Sequence, residues 1–456
     1  MLCMSNLLYN KNTVIGRLFC YFSMYFTGVP VPTVESLCLL LISMLALESA
    51  GSVRSLYRHF LSKITEKSLN AFYYACSYAK ADYSAFMNVT IRKAIRIIPD
   101  FIAYHPVFLC IDDTIVPKSG KKFELVSCLY DHAAHNGSRY LNGHCFVSIM
   151  LCIPVWKNRK ISYLSIPLAY RMWDKSESKL CLAASMVRQA MPELAGQKNV
   201  ILMFDSWYAK KDLLCVVDEF PNLDIICGAR TDSVLYDLAP ERTGKAGRPR
   251  KHGDRLSLDT GFVLSSEKID GYFIGVRRVL TNLFGSREVQ AYLTSTEREG
   301  GARRLFFSTV SPACLSFATA WYEDAPLNQT GSRWMEYVPL FLYKIRWNIE
   351  VSYYEQKTFW SLCHYMVRSR KGIEMMVNLI NVAYTSMKLL PYTDAEWKEY
   401  RTQSVQEFRF MLSEQIREQV IFASFADLLE NSIKTKEVLN LLKQKVFGCN
   451  NATQKL

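Results

Sequence analysis

Between residues 107 and 228 the chain alternates short apolar runs with helical patterns, and this alternation constrains the fold more than any other feature. The apolar runs are rich in branched residues, which is typical of strands. Two stretches with helical patterning, 176–192 and 208–219, separate the later runs. Three strands, a helix, a strand, a helix and a strand predict an α/β core. The predicted strands cover residues 107–114, 144–155, 161–170, 199–205 and 223–228.

Two of these runs end in aspartate. Asp112 and Asp113 follow the first run directly, and Asp205 closes the fourth. An aspartate at a strand end is most often a turn residue, so neither position alone indicates a site. Adjacent residues of a strand point to opposite faces, and one member of the first pair is therefore expected to face any site. We predict that Asp113 faces it, with Asp112 as the alternative.

A third carboxylate lies in residues 343–357, which contain neither proline nor glycine and are predicted to be helical. At about 100° per residue, Arg346, Glu350 and Lys357 lie within about 60° of Tyr343, so the four share one face. Such a face is often simply solvated. The residues predicted to bury the other side of this helix are Leu342, Ile345, Ile349 and Phe359.

The three carboxylates come from distant segments, so only the fold can bring them together. If Asp113, Asp205 and Glu350 converge, their hard oxygen ligands suit Mg²⁺, with Mn²⁺ as an alternative. Two such ions at a scissile phosphate would activate a water or a 3′-hydroxyl and stabilise the leaving oxygen.

Composition favours a polyanionic partner and a reducing compartment. The formal net charge is +13 at pH 7, which suits nucleic acid or an anionic membrane surface. The 14 cysteines are scattered singly, without zinc-finger spacing, so free thiols in the cytoplasm are the simplest interpretation. The apolar run at 36–47 is too short to cross a bilayer and is predicted to be a buried helix.

Pattern changes divide the chain into five predicted regions. Residues 1–100 form a helical region with possible DNA end binding, in which 34–62 fits either a helix-turn-helix reader or an ordinary helical hairpin. Residues 101–230 hold the first part of the core, and 231–335 form a β-rich insertion with a basic arm. The remainder of the core, with its Glu-bearing helix, is 336–390. Residues 391–456 form a helical C-terminal region that could mediate dimerisation.

The insertion carries a strongly basic stretch around Gly247-Arg248-Pro249-Arg250-Lys251, which resembles the core of an AT-hook. We predict that Arg248, Arg250 and Lys251 contact DNA, the alternative being a solvated loop. Three histidines, His132, His135 and His144, lack partner cysteines at zinc-finger spacing. They are therefore predicted to belong to a polar loop closing onto a strand.

Three motifs in order give the chain a family resemblance. Tyr343, Arg346, Glu350 and Lys357 match the Tyr-x2-Arg-x3-Glu-x6-Lys signature of DDE transposases from bacterial insertion sequences. The sequence Asp112-Asp113-Thr114 resembles the first acidic motif of that family. The sequence Phe204-Asp205-Ser206-Trp207-Tyr208 resembles the second. The similarity covers roughly residues 100–390.

The resemblance implies an RNase H-like core in which Asp113, Asp205 and Glu350 are catalytic and bind the metal. It implies that Tyr343, Arg346 and Lys357 grip DNA phosphates. It also implies transposon ends and target DNA as substrates, a homodimer in the synaptic complex, and a nucleoid-associated protein of the bacterial cytoplasm.

One departure concerns the hairpin-forming relatives, which stack a flipped base on a Trp of the insertion. The corresponding strand here contains Phe306 and Phe307 and no Trp. Two alternatives to a transposase stay open: a nuclease with the same core but no strand transfer, and a non-catalytic DNA-binding derivative.

Overall fold

The N-terminal part of the protein is helical, as predicted. The computed structural model describes residues 10–47, 51–120, 122–131, 139–241, 250–311, 314–315 and 334–432. The first helices are α1 (Val14–Ser23), α2 (Val31–Ala46), α3 (Leu69–Ser77) and α4 (Ala85–Ile95). Residues 36–46 of α2 are all buried, which confirms a core helix. A short helical segment from Val53 to Ile64 follows α2, but the joint at 48–50 lies outside the described residues, so the helix-turn-helix alternative stays a prediction.

Among the described residues, nine strands form one sheet at the centre of the fold. Its first strands are β1 (Val107–Pro117), β2 (Ser127–Tyr130), β3 (Tyr140–Lys157), β4 (Lys160–Trp173), β5 (Val200–Phe204) and β6 (Leu223–Ala229). β3 lies antiparallel to both β1 and β4, whereas β5 is parallel to β1 and β6 is parallel to β5. The order is therefore β4-β3-β1-β5-β6, with β2 beside β3. All five predicted strands are present.

Helices cover both faces of this sheet, and the strand alternation decides which residue meets which layer. Phe108 and Cys110 of β1 pack into the cluster built with the N-terminal helices. Leu109 and Ile111 point the other way, into a cluster with α4 and α5 (Lys179–Ala190). Because both faces of β1 are buried, its first residues form one continuous apolar run in the sequence.

The insertion is mainly β in its described part, and it extends the core sheet. The helix α6 (Lys211–Leu214) precedes β6, and two short strands after it, β7 (Leu235–Tyr236) and β8 (Arg255–Leu256), pair with each other. Three longer strands follow: β9 (Phe273–Val279), β10 (Val289–Ser295) and β11 (Arg303–Ser308). The predicted hairpin is confirmed as the antiparallel β10–β11 pair. β11 then pairs antiparallel with β6, so the sheet continues without a break.

The predicted uninterrupted helix over 343–357 is wrong. α7 (Trp334–Tyr343) ends at Tyr343, a 3₁₀ turn occupies Lys344–Trp347, and α8 (Asn348–Phe359) follows. A 3₁₀ turn advances about 120° per residue instead of about 100°, so these four residues rotate Glu350 by about 80° relative to Tyr343, from about −20° to about +60°. Leu342 and Ile349 are buried as expected and Ile345 is partly buried, but Phe359 is 40% exposed.

The last helices are α9 (Arg370–Thr393) and α10 (Val405–Ser432), joined by a 3₁₀ segment, Ala395–Thr402. The predicted helical stretch beyond 432 lies outside the described residues. α9 protects the edge strand β4: the Asn378 amide accepts from the Tyr170 N–H (3.0 Å) and donates to the Tyr170 carbonyl (2.9 Å), and Glu374 accepts from the Met172 N–H (3.0 Å). Side chains of one helix thus satisfy backbone groups of the sheet edge.

Candidate active site

Two aspartates stand side by side where the parallel pairing of β1 and β5 ends: Asp112 lies in the middle of β1, and Asp205 directly follows β5. These strands are parallel, with Cys110 beside Met203, and two residues further along the same register Asp112 is level with Asp205. Both aspartates continue the row of side chains that faces the N-terminal helices and α8. A cleft of about 1120 Å³ opens here, and it is lined by Asp112, Asp113, Asp205, Arg346, Glu350 and Lys357.

Asp113, the predicted member of the pair, directs its carboxylate to the other face of the sheet. It pairs with the Lys179 ammonium at 2.9 Å and accepts a hydrogen bond from the Tyr208 hydroxyl at 2.9 Å. Tyr208 belongs to the cluster on that opposite face. Side chains alternate between the two faces of β1. Asp112, the alternative member of the pair, therefore lies on the face of Asp205 and Glu350, whereas Asp113 pairs with Lys179.

Arg346 connects Asp112 to Glu350. One terminal nitrogen of its guanidinium lies 3.0 Å from Asp112 and the other 2.9 Å from Glu350, four residues along the chain. The Arg346 side chain is only 13% exposed. Burial opposes its charge, but Tyr343, Asp112 and Glu350 outweigh burial and raise the pKa of Arg346. This arginine is therefore a fixed cation that holds two carboxylates from distant segments.

The surroundings of Asp112 favour its protonated form. Burial, followed by the negative charge of Asp205, raises the pKa of Asp112 from 3.8 to about 7, although Arg346 acts in the opposite direction. Asp205 in turn is oriented by backbone donors, because its Oδ1 accepts from the N–H groups of Trp207 (3.0 Å) and Tyr208 (3.3 Å). Two neighbouring carboxylates that repel each other form a place where an added cation would be stabilised.

The predicted convergence of three carboxylates on a metal is not complete in this conformation. Within the described ranges, no group of three His, Cys, Asp or Glu side chains is arranged to hold a metal ion. Arg346 lies where Asp112 and Glu350 would otherwise approach each other. The donor set still fits a hard divalent cation, since Asp112 and Asp205 offer carboxylate oxygens at one sheet edge and repel each other.

Tyr343 supports the site through contacts with β5 and β11. Its hydroxyl donates to the carbonyl of Phe204 at 3.1 Å, the residue before Asp205, and its ring meets Phe306 edge-on at 5.2 Å. Burial raises the pKa of the Tyr343 phenol. In this arrangement the hydroxyl supports the end of β5.

Lys357 lies further along α8 and lines the cleft. Burial lowers the pKa of Lys357, with Cys363 and Asp131 acting in the opposite direction. A partly desolvated ammonium in the wall of an open cleft is suited to an anion that brings its own negative charge. Its predicted contact with DNA stays a prediction.

Two of the cations predicted to contact DNA, Arg250 and Lys251, do not line this cleft. Arg250 forms a long ion pair with Asp254 (3.7 Å) at an exposed position, Lys251 is also exposed, and Arg248 lies outside the described residues. Of the three histidines, His132 and His135 are likewise outside them.

The third histidine, His144, has a structural environment. It is buried, with Nδ1 2.7 Å from the Tyr365 hydroxyl and Nε2 2.8 Å from the Glu124 carbonyl. A carbonyl can only accept, so Nε2 carries the proton and Nδ1 accepts from the hydroxyl. This arrangement agrees with the predicted polar residue of a strand.

The two phenylalanines of the insertion differ in exposure. Phe307 is buried. Phe306 lines a second cavity, of about 710 Å³, together with Arg304, Lys344 and Arg346. Arg346 therefore reaches both cavities, one on each side of Asp205.

Sequence reasoning did not identify Lys179 or Tyr208 as partners of Asp113. Tyr208 belongs to the second acidic motif, so its position carried a signal. Lys179 opens α5 in a polar stretch, and nothing in its local sequence distinguishes it from a surface lysine.

Comparison with known families adds one finding. The model of a family described as DDE superfamily endonuclease matches residues 33–268, more than half of the 456-residue chain. The match includes Asp112, Asp113 and Asp205 and ends before Glu350. No curated protein matched the chain. None of the helices in the described ranges has the length and apolar character needed to cross a membrane.

Proposed function

The chain belongs to the DDE superfamily endonucleases, and from this we propose that it is a transposase that cleaves and joins DNA strands at the ends of an insertion sequence. The observation that carries the proposal is the placement of Asp112 and Asp205 side by side on the neighbouring parallel segments of β1 and β5, with Glu350 held beside Asp112 by Arg346. The strand order β4-β3-β1-β5-β6, three antiparallel strands followed by two parallel ones, supports an RNase H-like core.

We propose Asp112, Asp205 and Glu350 as the catalytic carboxylates, with Asp112 in place of Asp113. These residues would hold Mg²⁺ or Mn²⁺, which when bound supplies Lewis acidity for the attacking water or 3′-hydroxyl and for the leaving oxygen. Arg346 meanwhile holds Asp112 and Glu350 in place through one ion pair to each. Release of Glu350 from this arginine would free one carboxylate for the site and one face of the guanidinium for a phosphate.

The other residues of the Tyr343–Lys357 signature divide between support and DNA contact. Tyr343 fixes the end of β5, so that Asp205 keeps its position relative to Asp112. Arg346 and Lys357 are proposed to bind phosphates, because each lines the cleft beside the carboxylates. Arg248, Arg250 and Lys251 are proposed to hold flanking DNA from the insertion.

DNA is the proposed partner, and the net charge of +13 supports a polyanion. We also propose a homodimer on paired DNA ends, formed through the C-terminal helices. α10 leaves Phe410, Ile421 and Phe422 more than half exposed, which suits a contact with a second subunit.

The proposal is tested with the purified protein, Mg²⁺, and DNA carrying the inverted repeats that flank its gene. The wild type is expected to release the element ends and join them to target DNA. Asp205→Ala and Glu350→Gln are expected to lose at least about 100-fold in both steps. Near-wild-type rates of cleavage and joining in these variants would refute the proposed catalytic carboxylates. Nicked DNA without joined product would favour a nuclease, and binding without cleavage would favour a non-catalytic derivative.

A further inference from the structure

Two tryptophans flank Asp113 on the wall of the large cleft. Trp173 ends β4, and its indole N–H donates to the carbonyl of Glu177 at 2.8 Å. Trp207 follows Asp205 by two residues, and its backbone N–H donates to that carboxylate at 3.0 Å. Trp207 is 38% exposed, so part of its ring is accessible to a ligand. Both rings line the same cleft as Asp112 and Glu350.

A fixed lysine lies between the two indoles. The Lys179 ammonium lies 5.2 Å from the centre of the Trp173 ring and 4.8 Å from that of Trp207. Its ion pair with Asp113, at 2.9 Å, holds it there. Burial opposes the charge, but Asp113 and Cys145 raise the pKa of Lys179, so it stays cationic. The carboxylate that does not face Asp205 thus has a defined task in this part of the cleft.

Two further lysines extend the same surface. Lys210 lies 4.6 Å from the centre of the Trp207 ring, and Lys175 lies 5.9 Å from that of Trp173. Both lysines are exposed, so each ammonium can move from the ring to a ligand's charge at little cost. The surface therefore offers two aromatic rings and three cations against one aspartate.

This combination fits unpaired nucleotides better than other anions. A base offers a π-face for stacking and a phosphate for an ammonium, whereas an acidic peptide offers only the charge. The bases of an intact duplex are stacked on each other, so their faces are closed to an indole. We infer that Trp173, Trp207, Lys175, Lys179 and Lys210 form a stacking platform for the single-stranded DNA that leaves the cleavage site. The inference rests on the proposed function, because the platform adjoins Asp205.

The test is the binding of a fluorescent 15-nucleotide oligothymidylate and of a mixed-sequence duplex, followed by anisotropy at one fixed salt concentration. Trp207→Ala is expected to weaken oligothymidylate binding by about 5- to 100-fold, the loss of one stacked base, and to leave duplex binding within about twofold. Trp207→Phe keeps an aromatic ring, so its affinity for the oligothymidylate is expected to lie between those of the wild type and Trp207→Ala. Both variants are expected to keep the turn that holds Asp205, because residue 207 contributes to that turn through its backbone N–H and not through its side chain.

The matched control is Trp156→Ala, which removes another exposed indole, 47% accessible, from β3. Ser148 of that strand is level with Asp112, so Trp156 lies about 26 Å further along the strand, and this variant is expected to bind as the wild type does. Trp207→Ala with unchanged oligothymidylate affinity would overturn the inference, as would an equal loss on duplex. Displacement of the oligonucleotide by millimolar dTMP would also overturn it, in favour of a mononucleotide site.

The outcomes separate the platform from the function itself. A wild type that binds duplex but no oligothymidylate refutes the platform and leaves the transposase proposal standing. A wild type that neither binds nor cleaves any DNA refutes both.

Discussion

Replacing Asp112 by asparagine is predicted to stabilise the metal-free protein, and to do so increasingly as the pH rises. Burial and the charge of Asp205 raise the pKa of Asp112 from 3.8 to about 7. In the folded protein this group binds its proton more tightly than in the unfolded chain, so folding loses stability as pH rises from about 4 to 7. The full difference corresponds to about 4 kcal/mol, an upper figure because the protein relaxes around the charge.

The amide introduced by Asp112→Asn carries no titrating charge, so the variant should escape this loss. The difference in unfolding free energy between Asp112→Asn and the wild type is expected to grow by up to about 4 kcal/mol between pH 4 and pH 8. The attraction between Arg346 and the ionised Asp112 carboxylate is already contained in this pKa, so its loss adds no second change with pH, and Glu350 still holds the arginine in the variant. The growth with pH is therefore the diagnostic quantity.

Urea denaturation in EDTA at pH 4, 6 and 8 measures the difference in unfolding free energy between Asp112→Asn and the wild type. Asp113→Asn is the matched control, since it changes the neighbouring aspartate on the other face. That variant weakens the ion pair with Lys179, so it is expected to destabilise the protein by about 1–2 kcal/mol at pH 8. A difference for Asp112→Asn that does not change with pH, or a growing difference for Asp113→Asn instead, would refute the reasoning.

Three further predictions follow from the packing around the site. Gly228→Ala would place a Cβ 3.1 Å from the Tyr343 hydroxyl and 3.2 Å from the Ser206 nitrogen, so urea denaturation should show a loss of about 1–3 kcal/mol, partly recovered when Tyr343→Phe is added. Asn378→Ala would leave both backbone groups of Tyr170 without this partner, and the same measurement should show a loss of about 2–4 kcal/mol, whereas no loss would contradict its role at the sheet edge. Light scattering of the protein on paired DNA ends should give the mass of two chains, and one chain would contradict the dimer.

The sequence contained enough information for the sheet and for the position of two carboxylates. Each predicted strand is present, and Asp112 and Asp205 come side by side because β1 and β5 are parallel neighbours, although β1 continues beyond its aspartates to Pro117. The hairpin of β10 and β11 was also predicted correctly, from the Gly-rich turn between them. That β11 would join β6 was not predictable from local pattern, because strand pairing across about 75 residues depends on tertiary packing.

The sequence could not show which of Asp112 and Asp113 lies on the same face as Asp205, for a physical reason. Strand alternation can be read only when one face is polar, and Phe108, Cys110, Leu109 and Ile111 are all buried. The sequence therefore contains no local mark of which face carries the helix α8.

The 3₁₀ turn at Lys344–Trp347 was missed for a similar reason. Residue propensities barely separate a single 3₁₀ turn from α-helix, so the pattern predicted one continuous helix. Glu350 and Arg346 were nonetheless correctly predicted to be neighbours, since they are four residues apart and form an ion pair.

Asp112, Asp205 and Glu350 are proposed to carry out metal-dependent DNA cleavage. The most direct measurement is the Mg²⁺-dependent cleavage rate of DNA bearing the element ends, with Asp112→Asn and Asp113→Asn compared side by side. We expect Asp112→Asn to lose at least about 100-fold, because it removes a charged oxygen from the site, and Asp113→Asn to stay within about tenfold of the wild type. Cleavage by Asp112→Asn at the wild-type rate, with Asp113→Asn inactive, would contradict the account.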